Sequence, residues 1–389
     1  MIRYYSADYI ITVTSEAIPN GVVAIDTDGQ IVEIYQPSTV PNKASVQKLN
    51  GVLIPGFVNA HCHLELSHML GKIPEHTGLV EFIGQVVKNR GNDEDAMQLA
   101  MQEADSYMYQ QGIQAVGDHV NTTVSQQVKK NSKIIYHTFV EIISLRDEEH
   151  LDKIDQAREV EFHFNPAHSS ITPHAPYSCS KTLFKAFKNS VQSENIVSIH
   201  NQESEEENKL FRYRTGDFLK FYEKIGIPLD RIKAQARNSI QTYLNLLPKE
   251  NKTMLVHNTF TSLKDLDFIR RMDRKVTFCL CPNANLYIEN ELPKIELLMR
   301  ERIDLAIGTD SLASNHTLSV LDELKVIHHH FPALSFHDLI KWATINGARA
   351  LDLDRKLGSL EVGKRPGLVL LKNMHNFKID DKVTVERIV

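Results

Sequence analysis

The sequence lacks the features that would place the protein at a membrane or on nucleic acid. Its 389 residues contain no uninterrupted apolar run long enough to span a bilayer. The first residues lack the basic segment and apolar core of a signal peptide. The formal net charge is -5, so an excess of positive charge is also missing. We therefore expect neither a membrane nor a nucleic-acid partner.

Cysteine is scarce and shows no pattern of pairing. The four cysteines are Cys62, Cys179, Cys279 and Cys281, and none forms a Cys-x-x-Cys motif. Four scattered thiols do not make a disulfide framework, which predicts a protein of the reducing cytoplasm. We expect these side chains to be small buried hydrophobes rather than metal ligands.

Both ends of the chain have the composition of short strands. Residues 1–52 contain β-rich, partly alternating runs, with a hairpin turn at Asp28-Gly29. Residues 355–389 return to the same pattern after a long helical stretch. Neither end is long enough to bury a core alone. We expect 1–52 and 355–389 to form one composite β-sandwich domain, with a larger domain over 53–354 inserted between them.

The inserted region alternates apolar strands with helical patterns. Eight strand–helix units over about 300 residues are typical of α/β proteins with a (β/α)8 TIM-like barrel. The predicted strands cover 52–63, 113–119, 133–141, 169–174, 195–200, 253–257, 275–281 and 303–310. The predicted helices include 79–88, 93–111, 180–190, 211–224, 262–273, 318–329 and 337–351.

Five of the predicted strands end in a residue that binds metal or carries protons. His61 and His63 end the first strand on one face, because side chains alternate along a strand. The other strand ends carry His174, His200, His257 and Asp310. Active sites of such barrels are assembled at the carboxyl ends of the strands. Buried polar groups without partners are costly, so packing alone does not explain this coincidence.

His61, His63, His200 and Asp310 together make a ligand set of three nitrogens and one oxygen. Zn²⁺ binds such sets and keeps a position open for water in catalytic sites. Fe²⁺ is the alternative, because ligand type alone does not choose between them. A carboxylate three residues after a ligand, Glu203, is placed to move a proton above the open face of the ion. The acids 205–207 that follow are predicted to be a solvated helix start.

The motifs resemble those of the amidohydrolase superfamily. The resemblance rests on PGFVNAHCH at 55–63, on His200-x-x-Glu203, on Val256-His257 and on the GTDS run at 308–311. It is closest to the mononuclear branch of cytosine, guanine and S-adenosylhomocysteine deaminases and chlorohydrolases. The fourth strand lacks the lysine or glutamate of binuclear members, which implies one divalent ion. The HLELS run at 63–67 is similar to that of aminodeoxyfutalosine deaminases.

The resemblance implies a hydrolytic deaminase of an amino-substituted N-heterocycle such as a purine nucleoside, with release of ammonia. It implies that Asp310 is a metal ligand and also accepts a proton from the attacking water. His257 then stabilises the developing oxyanion, and Glu203 protonates the ring nitrogen beside the attacked carbon. The motif HAPYSC at 174–179 implies that His174 contacts the substrate.

The sequence leaves the role of two further residues undecided. Arg146 follows the third strand, and it either binds a carboxylate or ribose of the substrate or is a surface arginine without a ligand. His119 ends the second strand and is a further candidate for the pocket. The sequence departs from its relatives at Ala284, where many have serine, and at Pro366 in the β region.

Two other functions are compatible with the sequence. One is a chlorohydrolase or another C–N hydrolase of an N-heterocycle. The other, from a different class, is a non-catalytic metal-binding scaffold, although such proteins tend to lose ligands that this chain retains. We expect a small-molecule partner, and a homodimer is compatible with the sequence.

Overall fold

The computed structural model describes residues 1–42, 44–91 and 93–389. Strands are concentrated at the two ends of the chain and alternate with helices between them. The strands are β1 (Arg3–Ser6), β2 (Tyr9–Ile10), β3 (Ile18–Pro19), β4 (Val22–Ile25), β5 (Ile31–Tyr35), β6 (Val46–Lys48), β7 (Val52–Pro55), β8 (Phe57–Cys62), β9 (Ile113–Val120), β10 (Ile135–Ile142), β11 (Ser169–Pro173), β12 (Val197–Asn201), β13 (Thr253–His257), β14 (Val276–Leu280), β15 (Asp304–Ile307), β16 (Leu368–Lys372) and β17 (Thr384–Arg387).

Helices separate most of the central strands. They are α1 (Leu79–Asn89), α2 (Glu94–Gln110), α3 (Gln126–Asn131), α4 (His150–Glu161), α5 (Lys181–Ser190), α6 (Glu205–Tyr213), α7 (Asp217–Lys224), α8 (Ile240–Tyr243), α9 (Leu263–Arg271), α10 (Pro282–Glu289), α11 (Ile295–Arg300), α12 (Val320–His330), α13 (Phe336–Lys341) and α14 (Gly347–Ala350). No helix in the described ranges combines the length and apolar character that crossing a bilayer requires.

The central strands form two four-stranded parallel sheets. Their orders are β11-β10-β9-β8 and β12-β13-β14-β15, and every neighbouring pair is parallel. Parallel strands have both faces covered, which accounts for their nearly continuous apolar runs. The prediction of an α/β fold built on parallel strands is confirmed.

Hydrogen bonds join the two sheets at the residues that end their strands. The His200 N–H donates to the His174 carbonyl at 3.0 Å, which links β12 to the end of β11. On the other side, the N–H groups of Thr309 and Asp310 donate to the His61 carbonyl at 3.0 and 3.1 Å. The carboxyl ends of strands from both sheets therefore meet at one place.

The terminal strands form two further sheets, with orders β5-β4-β1-β6 and β17-β16-β7-β2-β3. The second includes β16 and β17 from the end of the chain, with β16 paired to β7. The predicted strand over 52–63 is wrong in one respect, because it is two strands. β7 pairs with β16 at Leu368↔Pro55, whereas β8 pairs with β9. A Cβ on Gly56 would approach Pro366 O to 2.8 Å, so glycine is required where the chain changes sheets.

Two helix predictions also need correction. The stretch predicted as one helix over 211–224 contains the end of α6 and all of α7, with Arg214 in a left-handed conformation between them. The stretch over 337–351 contains α13, a π-helical turn over Trp342–Asn346, and α14. Helical periodicity continues across such interruptions, so sequence pattern does not detect them.

Candidate metal centre and active site

Four side chains predicted as metal ligands lie within coordinating reach of one another. The Nε2 atoms of His63 and His200 are 3.2 Å apart. Asp310 Oδ1 lies 3.5 Å from His61 Nε2 and 3.6 Å from His63 Nε2. Around a tetrahedral ion with bonds of about 2.1 Å, neighbouring ligand atoms lie about 3.4 Å apart. The spacing of the four side chains therefore fits a single ion.

Contacts behind the ligands direct the coordinating atoms toward the common centre. His200 Nδ1 donates to the His174 carbonyl at 2.9 Å, which leaves Nε2 free to coordinate. Asp310 Oδ2 accepts a 2.5 Å hydrogen bond from Ser314 Oγ, so Oδ1 faces the imidazoles. Both ring nitrogens of His61 are buried without a partner in the described structure. A bound cation would satisfy a nitrogen that is otherwise costly to bury.

His119 lies in the same cluster but is already fully bonded. It belongs, with His61, His63 and His200, to a group of imidazoles whose ligand atoms are within 4.8 Å of one another. Its Nδ1 lies 2.9 Å from Glu141 Oε1 and its Nε2 lies 2.8 Å from Ser198 Oγ. Both nitrogens of His119 therefore have partners already, whereas Asp310 Oδ1 faces His61 and His63.

The pKa values of His61, His63 and His257 are lowered, which favours their neutral form. Burial, reinforced by the neighbouring His119 and His200, lowers the pKa of His61 well below its usual value. Burial also lowers the pKa of His63 and of His257 well below the usual value. Neutral imidazole is the form that binds a metal ion.

Glu203 and His257 lie side by side next to the ligands. Glu203 Oε1 is 3.6 Å from His257 Nε2, and both side chains are almost completely buried. Burial, followed by the nearby carboxyl of Asp310, raises the pKa of Glu203 well above its usual value. Asn285 Nδ2 donates to His257 Nδ1 at 3.1 Å, which places the ring proton on Nε2, toward Glu203. The raised pKa favours the protonated carboxyl of Glu203, which lies next to the Nε2–H of His257.

The backbone is unusual where three of these strands end. His257 and Asp310 have φ values of 72° and 56°, and Gln202, beside Glu203, has a φ of 46°. Non-glycine residues adopt this left-handed region at a cost of about 1–3 kcal/mol, and they cluster at functional sites. Gly308 has to be a glycine because a Cβ on it would lie only 2.7 Å from His61 Cβ. These left-handed residues lie where the strands end, and the side chains of His257 and Asp310 line the same cavity.

A buried ion pair supports the turn that follows His63. Asp118 Oδ1 accepts the N–H of Leu64 at 2.7 Å, and Asp118 Oδ2 lies 2.6 Å from Lys129 Nζ. Both charged side chains are buried, so the pair fixes the loop that carries His63 rather than contacting a ligand.

The cavity above the cluster has a volume of about 160 Å³, enough for a ligand or several waters. The side chains of His63, His200, Glu203, His257 and Asp310 lie on its floor.

His174, predicted as a substrate contact, lines the same cavity, and its Nδ1 is 2.7 Å from Ser178 Oγ. Burial lowers its pKa to about 4.

Arg146 is not among the residues that line this cavity. Its guanidinium donates to the Gly226 carbonyl at 3.2 Å and lies 3.6 Å from Glu149 Oε1. The side chain is 39% exposed, as a surface arginine is. The position of Arg146 therefore gives no support for a substrate contact, and the cavity receives its guanidinium from Arg90 instead.

Several polar residues of the cavity were not predicted from the sequence. Glu141 is the next-to-last residue of β10 and so lies near a strand end, as the predicted ligands do. Glu65 lies in a short 3-10 helix over Leu64–Met69, Arg90 follows α1 and Asn121 follows β9, and no sequence pattern marks these positions. Glu207 was predicted to be solvated, yet it is buried, because its Oε1 accepts hydrogen bonds from the Gln202 N–H and Ser239 Oγ.

Comparison with known proteins agrees with this arrangement. The family model described as "Amidohydrolase family" matches residues 52–389. The adenosine deaminase of Helicobacter pylori is 28% identical over 376 residues, which cover 93% of this chain and 88% of that protein.

Two solved structures share the fold. Helicobacter pylori aminofutalosine deaminase in complex with methylthio-coformycin superposes with a TM-score of 0.83 at 24% identity, covering 97% of this chain and 94% of that one. An adenosine deaminase from Xanthomonas campestris with bound zinc gives a TM-score of 0.76 at 21% identity, covering 98% and 89%. With the family model matching most of its length, this chain belongs to the amidohydrolase family.

Proposed function

We propose that the protein is a metal-dependent hydrolytic deaminase of an amino-substituted purine nucleoside, and that it releases ammonia. One observation carries the proposal. In a chain of the amidohydrolase family, three imidazoles and a carboxylate converge at 3.2–3.6 Å near the buried carboxyl group of Glu203, whose pKa is raised by burial. The relatives named as adenosine and aminofutalosine deaminases support the purine nucleoside as the substrate class.

We propose His61, His63, His200 and Asp310 as the ligands of one divalent ion. Three nitrogens and one oxygen suit Zn²⁺, with Fe²⁺ as the alternative. The zinc-bound relative supports the first choice. Such an ion lowers the pKa of water bound to it from 15.7 to about 7, which supplies hydroxide at neutral pH.

Asp310 and Glu203 would carry out the proton transfers, and His257 would donate a hydrogen bond. Asp310 lies beside the incoming water and accepts its proton. Glu203 enters protonated and gives its proton to the ring nitrogen next to the attacked carbon; its carboxylate then takes the remaining proton of the added hydroxyl and passes it to the departing amine, and the proton held by Asp310 restores Glu203 at the end of the cycle. His257 points Nε2–H toward the same space and donates a hydrogen bond to the oxygen as charge develops on it.

The barrel that would hold this site is also a proposal. The hydrogen bonds from His200 to His174 and from Thr309 to His61 support closure of the two parallel sheets into one (β/α)8 barrel. We place the boundary between the terminal β unit and this barrel at Gly56 instead of after residue 52, because β7 pairs with β16. Residues 1–55 and 355–389 then form the smaller unit.

Metal analysis and ammonia release test the function together. The purified protein is expected to hold about one zinc or iron ion per chain and to release ammonia from adenosine or a 5′-substituted adenosine. Guanine, cytosine and a chlorinated purine serve as alternative substrates. Chloride release without ammonia would identify a chlorohydrolase, and metal without turnover on any compound would identify a scaffold.

A further inference from the structure

One buried carboxyl group lies outside the cavity but bonds to the segments that follow β14 and β15. It belongs to Glu323, which is in the first turn of α12, is completely buried, and is not among the residues that line the cavity. Burying such a group is costly unless hydrogen bonds compensate for it. The two oxygens of Glu323 bond to two different segments, and each segment leads to a residue of the proposed site.

One oxygen of Glu323 is fixed to the start of α10. The N–H of Asn283 donates to Glu323 Oε2 at 2.9 Å. This N–H lies in the first turn of the helix, where N–H groups have no partner within the helix itself. Asn285, two residues further along α10, donates to His257 Nδ1 at 3.1 Å. Glu323 is therefore anchored to the same helical turn that orients the ring of His257.

The other oxygen holds the loop after β15. Asn315 Nδ2 donates both to Glu323 Oε1 and to the carbonyl of Thr309, each at 2.8 Å. Asn315 and Thr309 are almost completely buried. The carbonyl of Thr309 belongs to the peptide that joins it to Asp310, whose φ of 56° is left-handed. The side chain of Asn315 therefore restrains the peptide that sets the direction of Asp310.

Both neighbours of Glu323 donate hydrogen bonds, so the arrangement requires a group with two acceptors. Burial raises the pKa of Glu323 to about 8, and the hydrogen bonds from Asn283 and Asn315 oppose this rise because they favour the carboxylate. A side-chain amide has one acceptor and one donor, so Glu323→Gln has to lose one of the two contacts. Since the main-chain N–H of Asn283 is fixed in its helix, we expect the contact with Asn315 to break.

We infer that Glu323 is a positioning residue for the proposed metal ligand Asp310. It anchors Asn315 to the first turn of α10, and Asn315 in turn holds the peptide before Asp310. Glu323 itself touches neither the metal ion nor the substrate. This inference rests on the proposed function, because it concerns the orientation of a ligand that the proposed function assigns.

A double-mutant cycle on metal affinity tests the inference. Competition with a chelator measures the affinity for Zn²⁺ at about pH 8.5, above the pKa of Glu323, in Glu323→Gln, Asn315→Ala and the double variant. Each single variant should bind Zn²⁺ about 10-fold more weakly than the wild type, as expected when the support of a ligand is lost. The double variant should also be about 10-fold weaker, not about 100-fold, because both changes break the same connection.

The visible absorption of the Co²⁺-loaded protein reports the geometry of the ligands without any turnover. It should change in both single variants. Asp322→Asn is the matched control, because Asp322 is a carboxylate in the same helical turn that is 36% exposed and pairs with Lys325. This control should keep both the affinity and the spectrum of the wild type.

Wild-type affinity and spectrum in Glu323→Gln overturn the inference, and so do losses that multiply to about 100-fold in the double variant. If Glu323→Gln does not fold, Asn315→Ala decides alone, with wild-type affinity overturning the inference and a loss of about 10-fold supporting it. These measurements need no substrate. A wild-type protein that binds metal but releases no ammonia therefore rejects deamination and leaves this inference standing, whereas one that binds no metal ion rejects both.

Discussion

The floor of the cavity and one of its walls are built in opposite ways. We call this wall the helical wall, and it comprises the lining residues of α1 and the residue after it, which are Leu79, Phe82, Ile83, Val86, Val87 and Arg90. The floor consists of side chains at or just after the ends of several strands, which are His63, His200, Glu203, His257 and Asp310. His61 contacts this group without lining the cavity. These side chains are buried or nearly so, their partners come from distant segments, and some of their backbones are strained. The helical wall comes from one helix and its following residue, and Val87 is 69% exposed.

From this difference we expect the floor to serve the reaction itself and the helical wall to serve the choice of substrate. Rigid strand ends hold reacting groups within the small tolerances that catalysis requires. A helix face tolerates replacement of its side chains, because the strands beneath it do not depend on them. Changes to the floor should therefore affect all substrates equally, and changes to the helical wall should affect the choice among them.

The largest effect is expected from removing a floor ligand. His63→Ala opens the coordination set and should lose the metal, with a fall in kcat/KM on the order of 10⁴-fold or more, since both water activation and charge stabilisation depend on the ion. The metal content and the activity on two different nucleosides are the measurements. His163→Ala, which removes an exposed imidazole, is the control. Full metal content in the His63 variant would contradict the ligand assignment.

Glu203→Gln separates proton transfer from metal binding. The variant should keep its metal and lose about 10²–10⁴-fold in kcat, the usual value of a positioned acid or base. Glu207→Gln is the matched control, because Glu207 is also buried, in the first turn of α6 four residues after Glu203, but bonds to Ser239 and Gln202. Near-normal turnover by the Glu203 variant on the preferred substrate would remove its role.

Ser314→Ala tests the support behind Asp310. Loss of the 2.5 Å hydrogen bond to Asp310 Oδ2 frees the carboxylate to rotate, which should weaken metal affinity about 10- to 100-fold. Competition with a chelator measures the change. Ser125→Ala removes a buried hydroxyl that has no partner in the described structure, so it should leave metal affinity unchanged. Equal affinities in the two variants would show that Ser314 does not orient the ligand.

The residues of the floor could be predicted from the sequence, because the proposed ligands lie at the ends of apolar runs. The alternation of a strand puts His61 and His63 on one face, and the parallel sheet brings strand ends together whatever their distance along the chain. Glu141 follows the same rule, and it was missed because the end of β10 was treated only as part of the strand. Its role follows from partners such as His119, which only the fold reveals.

The helical wall and its arginine could not be predicted in the same way. The apolar face of α1 has the spacing of any amphipathic helix, which normally packs on a core. Arg90 depends on Glu65 and Asn121, which lie 25 and 31 residues away along the chain. From the sequence, Arg146 was considered as a ligand contact and Arg90 was not, whereas in the structure Arg90 lines the cavity and Arg146 does not.

A smaller effect is expected from shortening the helical wall. Val86→Ala removes two methyl groups from the face that lines the cavity. It should lower kcat/KM for 5′-S-butyl-5′-thioadenosine about 10-fold, the range for small changes in an apolar pocket, and leave 5′-deoxyadenosine almost unaffected. Parallel assays of the two compounds measure the ratio. Leu99→Ala alters an exposed side chain outside the cavity and is the control. Equal losses on both compounds would place Val86 in the packing of the floor.

The smallest effect on catalysis is expected at His137, which resembles the floor imidazoles but lies near the start of β10. It is buried, and its Nδ1 has no partner in the described structure. Burial lowers its pKa to about 3, so between pH 6.5 and 3 the unfolded chain binds a proton that the folded chain does not. Stability contributed by the neutral imidazole is therefore lost as pH falls, by about 1.4 kcal/mol per pH unit.

His137→Gln keeps a group that can bond Ser170 Oγ but removes the titration. The free energy of unfolding, measured with denaturant at pH 7 and pH 5, should fall about 2 kcal/mol less in the variant than in the wild type. Activity at pH 7 should stay unchanged, because His137 is not among the residues of the cavity. Loss of metal or turnover in the variant would contradict this expectation. Position along the strand would then not separate His137 from the floor imidazoles, and only convergence with His200 and Asp310 would define the floor.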